Sequence, residues 1–329
     1  MSDATLPLAA PFELPCPALG RWREGNTGTE GVWQFHGAEP GRAVLVTALV
    51  HGNELCGAWA LLAALEAGLR PRCGTLTLAF CNLAAFDRFD AAAPDASRFV
   101  DEDFNRVWGP GLATRMAGEA ATTERRRARA LLPFVEQADW LLDLHSMHEP
   151  GEPLLLTGLG RRHIRLAHAL QAPRCVISDA GHREGLRLRD HGRFGAMTDG
   201  DNRALLLECG YHGALSSRTV ALDMLARFLA ASGALALQDI PPDWWQPRPA
   251  APQQLLAVTH AVAARSLDVR FAQDWHGGQC IAQAGTVIGW DAGEPFTTPY
   301  DHCTLVMPSL RQLRAGVTVV RLARAVPMG

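Results

Sequence analysis

His51 and Glu54 stand three residues apart in the stretch HGNE, where an apolar run gives way to a helical pattern. An imidazole and a carboxylate at that spacing can converge on one cation, although so short a motif also arises by chance. The plainer alternative is a glutamate that favours a helix N-terminus beside a histidine that merely ends a strand. A second apolar run, LLDLHSMHEP, ends in His145, with Asp143 two residues earlier on the same strand face. An aspartate and a histidine inside a leucine-rich strand are costly unless they are paired or bound to metal. Two histidines and a glutamate with a fourth position open form a typical catalytic zinc set. Asp143 is spaced to orient one of the ligands. A third run, ALLLECG, ends in Glu208. Charged residues at successive strand ends of an α/β sheet mark the crevice where ligands bind.

The acid-rich stretch SRFVDEDFNRVWG (97–109) adds Arg98, Asn105 and Arg106. A planar guanidinium can grip a carboxylate with two parallel hydrogen bonds. Surface ion pairing with Asp101, Glu102 and Asp103 is the alternative for each arginine.

The elements that must position these residues are legible as alternating patterns. AVLVTALV (43–50), GTLTLAFCN (74–82), DWLLDLHS (139–146) and RALLLECGY (203–211) read as strands. Helical patterns follow at 55–69, 122–138, 164–172 and 217–233, which points to a layered α/β sheet. The proline-rich stretch 239–254 suits a linker. Short strand-like pieces beyond it, among them GTVIGW, CTLVMPS and GVTVVRLARAV, indicate a small all-β domain. The expected division is therefore 1–245 and 246–329.

Composition narrows the chemistry. The chain has 329 residues, 48% of them hydrophobic and 20% charged, with a formal charge of −3, so nothing global points to nucleic acid or a membrane surface. All 31 basic residues are arginine, which removes Schiff-base lysine chemistry and the phosphate-binding lysine of P-loops. The eight cysteines are scattered without a C-x-x-C pair and read as reduced residues of a cytoplasmic protein. The first twenty residues lack the positive start and unbroken apolar core of a signal peptide. There is no G-x-S-x-G; GLGRRH (158–163) lacks the last glycine of a dinucleotide loop, and HEPGE at 148 fails H-E-x-x-H.

Taken in order, HGNE (51–54), DFNR (103–106), DLHS (143–146) and LLECG (206–210) resemble the succinylglutamate desuccinylase/aspartoacylase family of the zinc carboxypeptidase superfamily. GTVIGWD and TLVMPSLRQLRAGVTVVRL extend the resemblance to a C-terminal β domain, so that it covers about 40–325. It implies a zinc-carboxypeptidase-like three-layer α/β/α sandwich with a mixed sheet, followed by that small β domain. It also implies one zinc ion held by His51, Glu54 and His145, with Glu208 as acid/base and Arg98 stabilising the tetrahedral intermediate. Asn105 and Arg106 match the pair that binds the substrate carboxylate. Tyr211, close to Glu208, is the candidate for a family tyrosine at the substrate. The implied activity is hydrolysis of the amide bond of an N-acyl amino acid, with a small-molecule substrate as the partner. Neither nucleic acid nor membrane is expected as a partner, and homo-oligomerisation stays open.

Two rival readings are a metallocarboxypeptidase acting on peptides and a non-catalytic zinc-containing binding protein. SMHEPGEP departs from the family pattern after the second zinc histidine. His148, His182, His191 and His212 are expected to be solvated or hydrogen-bonded loop residues. The segment 185–203 could be a mobile substrate loop, and a succinyl-type substrate would need a further cation, for which Arg187, Arg189 and Arg193 are candidates.

Overall fold

The structure, a computed structural model, describes residues 10–113, 121–182, 184–197 and 200–328. The opening residues 1–9 of the amino-terminal stretch and 198–199 of the candidate loop lie outside them. Along the chain run β1 (Val32–His36), β2 (Glu39–Ala48), α1 (Leu55–Glu66), β3 (Cys73–Phe80), α2 (Leu83–Phe86), α3 (Thr123–Gln137), β4 (Trp140–Met147) and β5 (Leu154–Leu156). Then come α4 (Arg161–Leu170), β6 (Cys175–Ser178), β7 (Arg203–Tyr211), α5 (Leu215–Ser232) and β8 (Gln254–Ala263). The chain closes with β9 (Val269–Phe271), β10 (Cys280–Ile281), β11 (Val287–Asp291), β12 (Glu294–Thr297), β13 (Cys303–Val306) and β14 (Thr318–Val326).

The leucine-rich strands are hydrophobic on both sides because both sides are covered. In β2, Val44, Val46 and Ala48 join the helices α1, α4 and α5, whereas Leu45 joins α3 through Leu131, Leu132 and Val135. Leu142 and Leu141 of β4 divide in the same way. This period-two partition makes the three layers, and it places Asp143 and His145 on the α3 side with Leu141. The parallel centre β3-β2-β4-β7 has β1 antiparallel at one flank and β5 antiparallel at the other, so the sheet is mixed.

The carboxy-terminal strands do not stand apart from this sheet. β8 pairs in parallel with β6, then β14, β13 and β10 follow in antiparallel order, giving one eleven-stranded sheet. A second sheet, β12-β11-β9, closes over a separate core around Ile288, Leu305 and Val320. The proline-rich stretch is packed rather than free: Trp244 is buried, and Gln246 bonds through its N–H to Asp223 and through its carbonyl to Arg227 of α5. The short strands β1, β5, β6, β10 and β12 were not visible as sequence patterns; two to five residues are too few for a period to show.

One local device serves the site. A Cβ added to Gly57 would meet the Cβ of Leu144 at 2.8 Å and that of Ala48 at 2.9 Å. The absence of that atom lets the first turn of α1 settle onto β2 and β4, which carries Glu54 towards His145.

Candidate metal centre and its surroundings

His51 follows the exit of β2, where Leu49 takes a left-handed conformation (φ 57°), a strained geometry that turns the chain sharply towards α1. Glu54 occupies the N-cap position of α1, yet its side chain makes no capping hydrogen bond. That disposes of the plainer reading, because the carboxylate turns instead to the two histidines. Oε1 lies 2.7 Å from His51 Nδ1 and Oε2 lies 2.7 Å from His145 Nδ1. One ligand atom from each of the three residues lies within 4.8 Å of the others, and all three side chains are buried.

The far side of each imidazole is also occupied. His51 Nε2 donates to Asp103 Oδ1 at 3.0 Å, and His145 Nε2 donates to Asp143 Oδ2 at 2.9 Å. Thr47 in turn donates to Asp143 Oδ1 at 2.7 Å. With Nε2 backed by an aspartate, both rings turn Nδ1 to the same place, and a metal held there would displace any proton that Nδ1 carries. Burial opposes protonation of His145, but Asp143 and Glu54 outweigh it and hold its pKa well above the usual range. Burial likewise raises Glu54, and the two histidines pull it well below. Three carboxylates around two imidazoles are an excess of negative charge in a dry place, and two nitrogens with one carboxylate suit a divalent zinc ion. The donor set therefore fits the metal.

Glu208 sits directly across from His145 in the β4–β7 register. It is 7% exposed, and its Oε2 has no hydrogen-bond partner among the described residues. Burial pushes its carboxyl well above the usual range, with Glu54 adding to this and His145 and Arg98 opposing it. A buried carboxyl with an unpaired oxygen beside His145 and Glu54 is placed to exchange a proton there.

Arg98 closes the other flank. Nη2 donates to Asp103 Oδ2 at 3.2 Å, Nη1 stands 3.5 Å from Glu54 Oε1 and 3.2 Å from His148 Nε2, and Nε has no partner among the described residues. His148 reaches Asp95 at 3.0 Å and His212 at 3.2 Å, and His212 bonds Ser146 at 2.8 Å. Ser146 and His148 of this network lie in SMHEPGEP, the stretch in which the sequence departs from the family pattern.

The remaining candidates divide. Asn105 accepts from the Leu188 N–H at 2.9 Å, and Arg106 donates to the Asn105 carbonyl at 2.8 Å and to His182 Nε2 at 3.2 Å, so both stand beside Asp103. Tyr211 is not gathered in: its hydroxyl donates to the Ala10 carbonyl at 2.5 Å, towards the amino-terminal segment. Arg187 is buried between Asp179 and Asp190, near Arg106. Arg189 bonds Asp190 and the carbonyls of Thr157 and Ala204, whereas Arg193 points outward to the carbonyls of Glu136 and Ala138. The described part of the 185–203 segment is pinned rather than loose, by Asn105 at Leu188, by Arg189, by His191 to the Trp108 carbonyl, and by His163 to the Phe194 carbonyl at 3.0 Å. Buried guanidinium and imidazole groups with backbone acceptors correct the reading of a mobile loop.

Asp103 and Arg321 stand beside these candidates and were not singled out from the sequence, whereas His182, expected to be a solvated or hydrogen-bonded loop residue, is hydrogen-bonded to Arg106 and Arg321. Asp103 lies in DFNR, where its proximity to arginines made surface pairing the natural reading; only tertiary contact brings it to His51.

Residues 40–175 match the family model described as the succinylglutamate desuccinylase/aspartoacylase catalytic domain. That segment holds His51, Glu54, Arg98, Asn105, Arg106 and His145 and stops before Glu208. Succinylglutamate desuccinylase from Vibrio parahaemolyticus superposes with a TM-score of 0.63 at 17% identity, over 91% of this chain and 87% of that one. A succinylglutamate desuccinylase/aspartoacylase from Rhodobacter sphaeroides gives 0.63 at 17% identity, over 90% and 89%. The product-bound ectoine utilization protein EutE (DoeB) from Ruegeria pomeroyi gives 0.59 at 16%, over 89% and 87%. At such identities the likeness establishes a shared fold. No curated protein matches the sequence.

Proposed function

We propose that this chain, whose residues 40–175 match the succinylglutamate desuccinylase/aspartoacylase catalytic domain, is a zinc-dependent hydrolase that cleaves the amide bond of an N-acyl amino acid. The observation that carries this reading is the Glu54 carboxylate facing His51 Nδ1 and His145 Nδ1 at 2.7 Å each, with both Nε2 atoms backed by aspartates. His51, Glu54 and His145 would hold the ion. When bound, zinc polarises a carbonyl oxygen and makes water a nucleophile at neutral pH.

The chain's own residues supply the rest. Glu208 takes the proton of the attacking water at Oε2 and returns it to the nitrogen of the departing amine. Arg98 directs N–H groups at the oxygen that gains charge in the tetrahedral state, an interaction stronger there than in the ground state. Asn105 and Arg106 hold the substrate carboxylate and so fix the scissile bond in place. The products are a carboxylic acid and a free amino acid.

We also propose that 1–245 forms the catalytic unit and that 246–329 narrows its cleft. Arg311 and Ser309 reach Glu149 at 2.7 and 3.1 Å, and Arg314 reaches Glu184 at 3.1 Å, so one carboxy-terminal segment is tied to loops of the catalytic unit at two places. A narrowed cleft favours a small substrate over a peptide. All eight cysteines are free, which supports a reducing compartment such as the cytoplasm. Among the described residues no helix is long and apolar enough to cross a membrane.

Zinc-loaded protein should release amine from N-acetyl- or N-succinyl-amino acids, and Glu208→Ala should not. Folded, zinc-replete protein that cuts peptides and spares both acyl classes would overturn the proposal.

A further inference from the structure

Arg98 follows a short turn, Pro94–Ser97, whose residues reach back to its side chain. The Arg98 N–H donates to the Asp95 carbonyl at 3.3 Å, and the Asp95 carboxylate reaches His148 Nδ1 at 3.0 Å. His148 Nε2 then accepts from Arg98 Nη1 at 3.2 Å, which closes the circuit on the residue where it began. The turn is seated hard against HGNE. The Arg98 carbonyl accepts from the Gly52 N–H at 3.1 Å, and a Cβ added to Gly52 would meet the Ser97 carbonyl oxygen at 2.4 Å. The backbone of Arg98 is therefore fixed, and the direction of its guanidinium is left to its side-chain partners.

A guanidinium only donates, so His148 Nε2 must be bare, and the proton of the neutral ring sits on Nδ1, facing Asp95. Burial holds the His148 pKa below the usual range against the pull of Asp95, and Arg98 adds to burial. His212 holds the ring from the side. The two ring planes stand at 80° with centroids 4.7 Å apart, and His212 is itself buried and bonded to Ser146 of β4 at 2.8 Å. A neutral acceptor matters here because the other partners of Arg98 are Glu54, 3.5 Å away, and Asp103, at 3.2 Å. A third carboxylate in direct contact would cancel the charge that the guanidinium brings to the site. An imidazole aims that charge and keeps the Asp95 carboxylate one ring away.

We propose that His148 and Asp95 are positioning residues for Arg98: Asp95 fixes the proton of His148 on Nδ1, and the bare Nε2 holds Nη1 so that the guanidinium is aimed at the reacting oxygen and does not close on Glu54. This rests on the proposed role of Arg98 at the tetrahedral oxygen. His148 lies in SMHEPGEP, so the clamp is built from the stretch that departs from the family pattern.

The tautomer of His148 tests the clamp whether or not an amide is cut. In zinc-loaded full-length protein near neutral pH, nitrogen NMR of the imidazoles should show His148 as the neutral Nδ1–H form. Arg98→Ala should release it to a mixture with the Nε2–H form. An Nε2–H or doubly protonated His148 in the wild-type protein overturns the proposal, and that result needs no variant. In active protein His148→Ala should lower kcat about tenfold, the scale of one hydrogen bond to a charged group, with KM within about twofold. His148→Gln, whose amide oxygen can accept from Nη1, should recover most of that loss. In an Arg98→Ala background His148→Ala should cost less than about twofold more, because no guanidinium is left to aim. A raised KM with unchanged kcat, losses that multiply, or no recovery with glutamine overturns the proposal. Protein that cuts no N-acyl amino acid removes the deacylase reading, and the tautomer alone then decides whether His148 holds Arg98.

Discussion

Two buried corners of this site are built with opposite charge around the same kind of ring. At one corner Glu54, Asp103 and Asp143 surround His51 and His145; at the other Arg106 and Arg321 surround His182. Carboxylates outweigh burial and hold His145 well above its ordinary pKa, whereas guanidinium groups act with burial to hold His182 far below it. In the first corner each histidine turns Nδ1 to Glu54 and Nε2 to an aspartate, and in the second the histidine is a neutral acceptor that lets two cations approach. The contrast teaches that the neighbours of a buried histidine, more than the histidine itself, decide whether burial holds it neutral or charge holds its proton.

The sharpest way to break the comparison is to empty the anionic corner. Glu54→Ala removes the central ligand, and turnover should fall below about one ten-thousandth of wild type with loss of zinc measured by elemental analysis. Glu208→Gln leaves the ligands in place, so zinc content should persist while kcat falls by about 10²–10⁴. A variant that stayed zinc-loaded and kept wild-type turnover would reassign the base.

His163 is an internal control for the cationic corner, since it too is buried near arginines but plays a packing role. Its Nδ1 accepts from the Ala204 N–H at 2.9 Å and its Nε2 donates to the Phe194 carbonyl at 3.0 Å. Burial, with Arg189 and Arg162, brings it down to about 3. Because the folded value lies below the unfolded one, the unfolded chain binds the extra proton first. The contribution is therefore full above about pH 6.5 and is lost as pH falls towards 3. Between pH 7 and pH 4 the loss is about 3 kcal/mol, and His163→Gln should flatten that part of the dependence of the urea midpoint on pH. Smaller still is the effect of Asp103→Asn, which keeps the shape of the acid but weakens its hold on the His51 ring; zinc affinity should fall about 10–100-fold in a chelator competition. An unchanged affinity would make Asp103 a partner of Arg98 alone.

How much of this was legible depends on what each residue's neighbours are. His145 and Glu208 stood out because each interrupts a leucine run, and a polar group in a strand covered on both faces needs a purpose. The helices α1, α3, α4 and α5 were legible from their periodicity, to within a few residues at their ends, whereas the single turn α2 was too short to show one. Arg187 and Arg189 were seen but not placed, since an arginine-rich loop looks solvated until its backbone acceptors and aspartates are known. Tyr211 was drawn in by nearness in sequence to Glu208; at the end of β7 its hydroxyl turns to the Ala10 carbonyl instead.

Local pattern by itself determined the parallel core, the strand ends that carry the chemistry and the residue types able to bind zinc, because period and polarity are properties of neighbouring residues. Tertiary structure alone decided that Glu54 serves two histidines rather than its helix, that Asp103 backs His51, and that Arg321 is buried. In TVVRLAR an arginine on one strand face says nothing about what covers that face. Only the pairing of β8 with β6 and of β14 with β8 brings it beside His182.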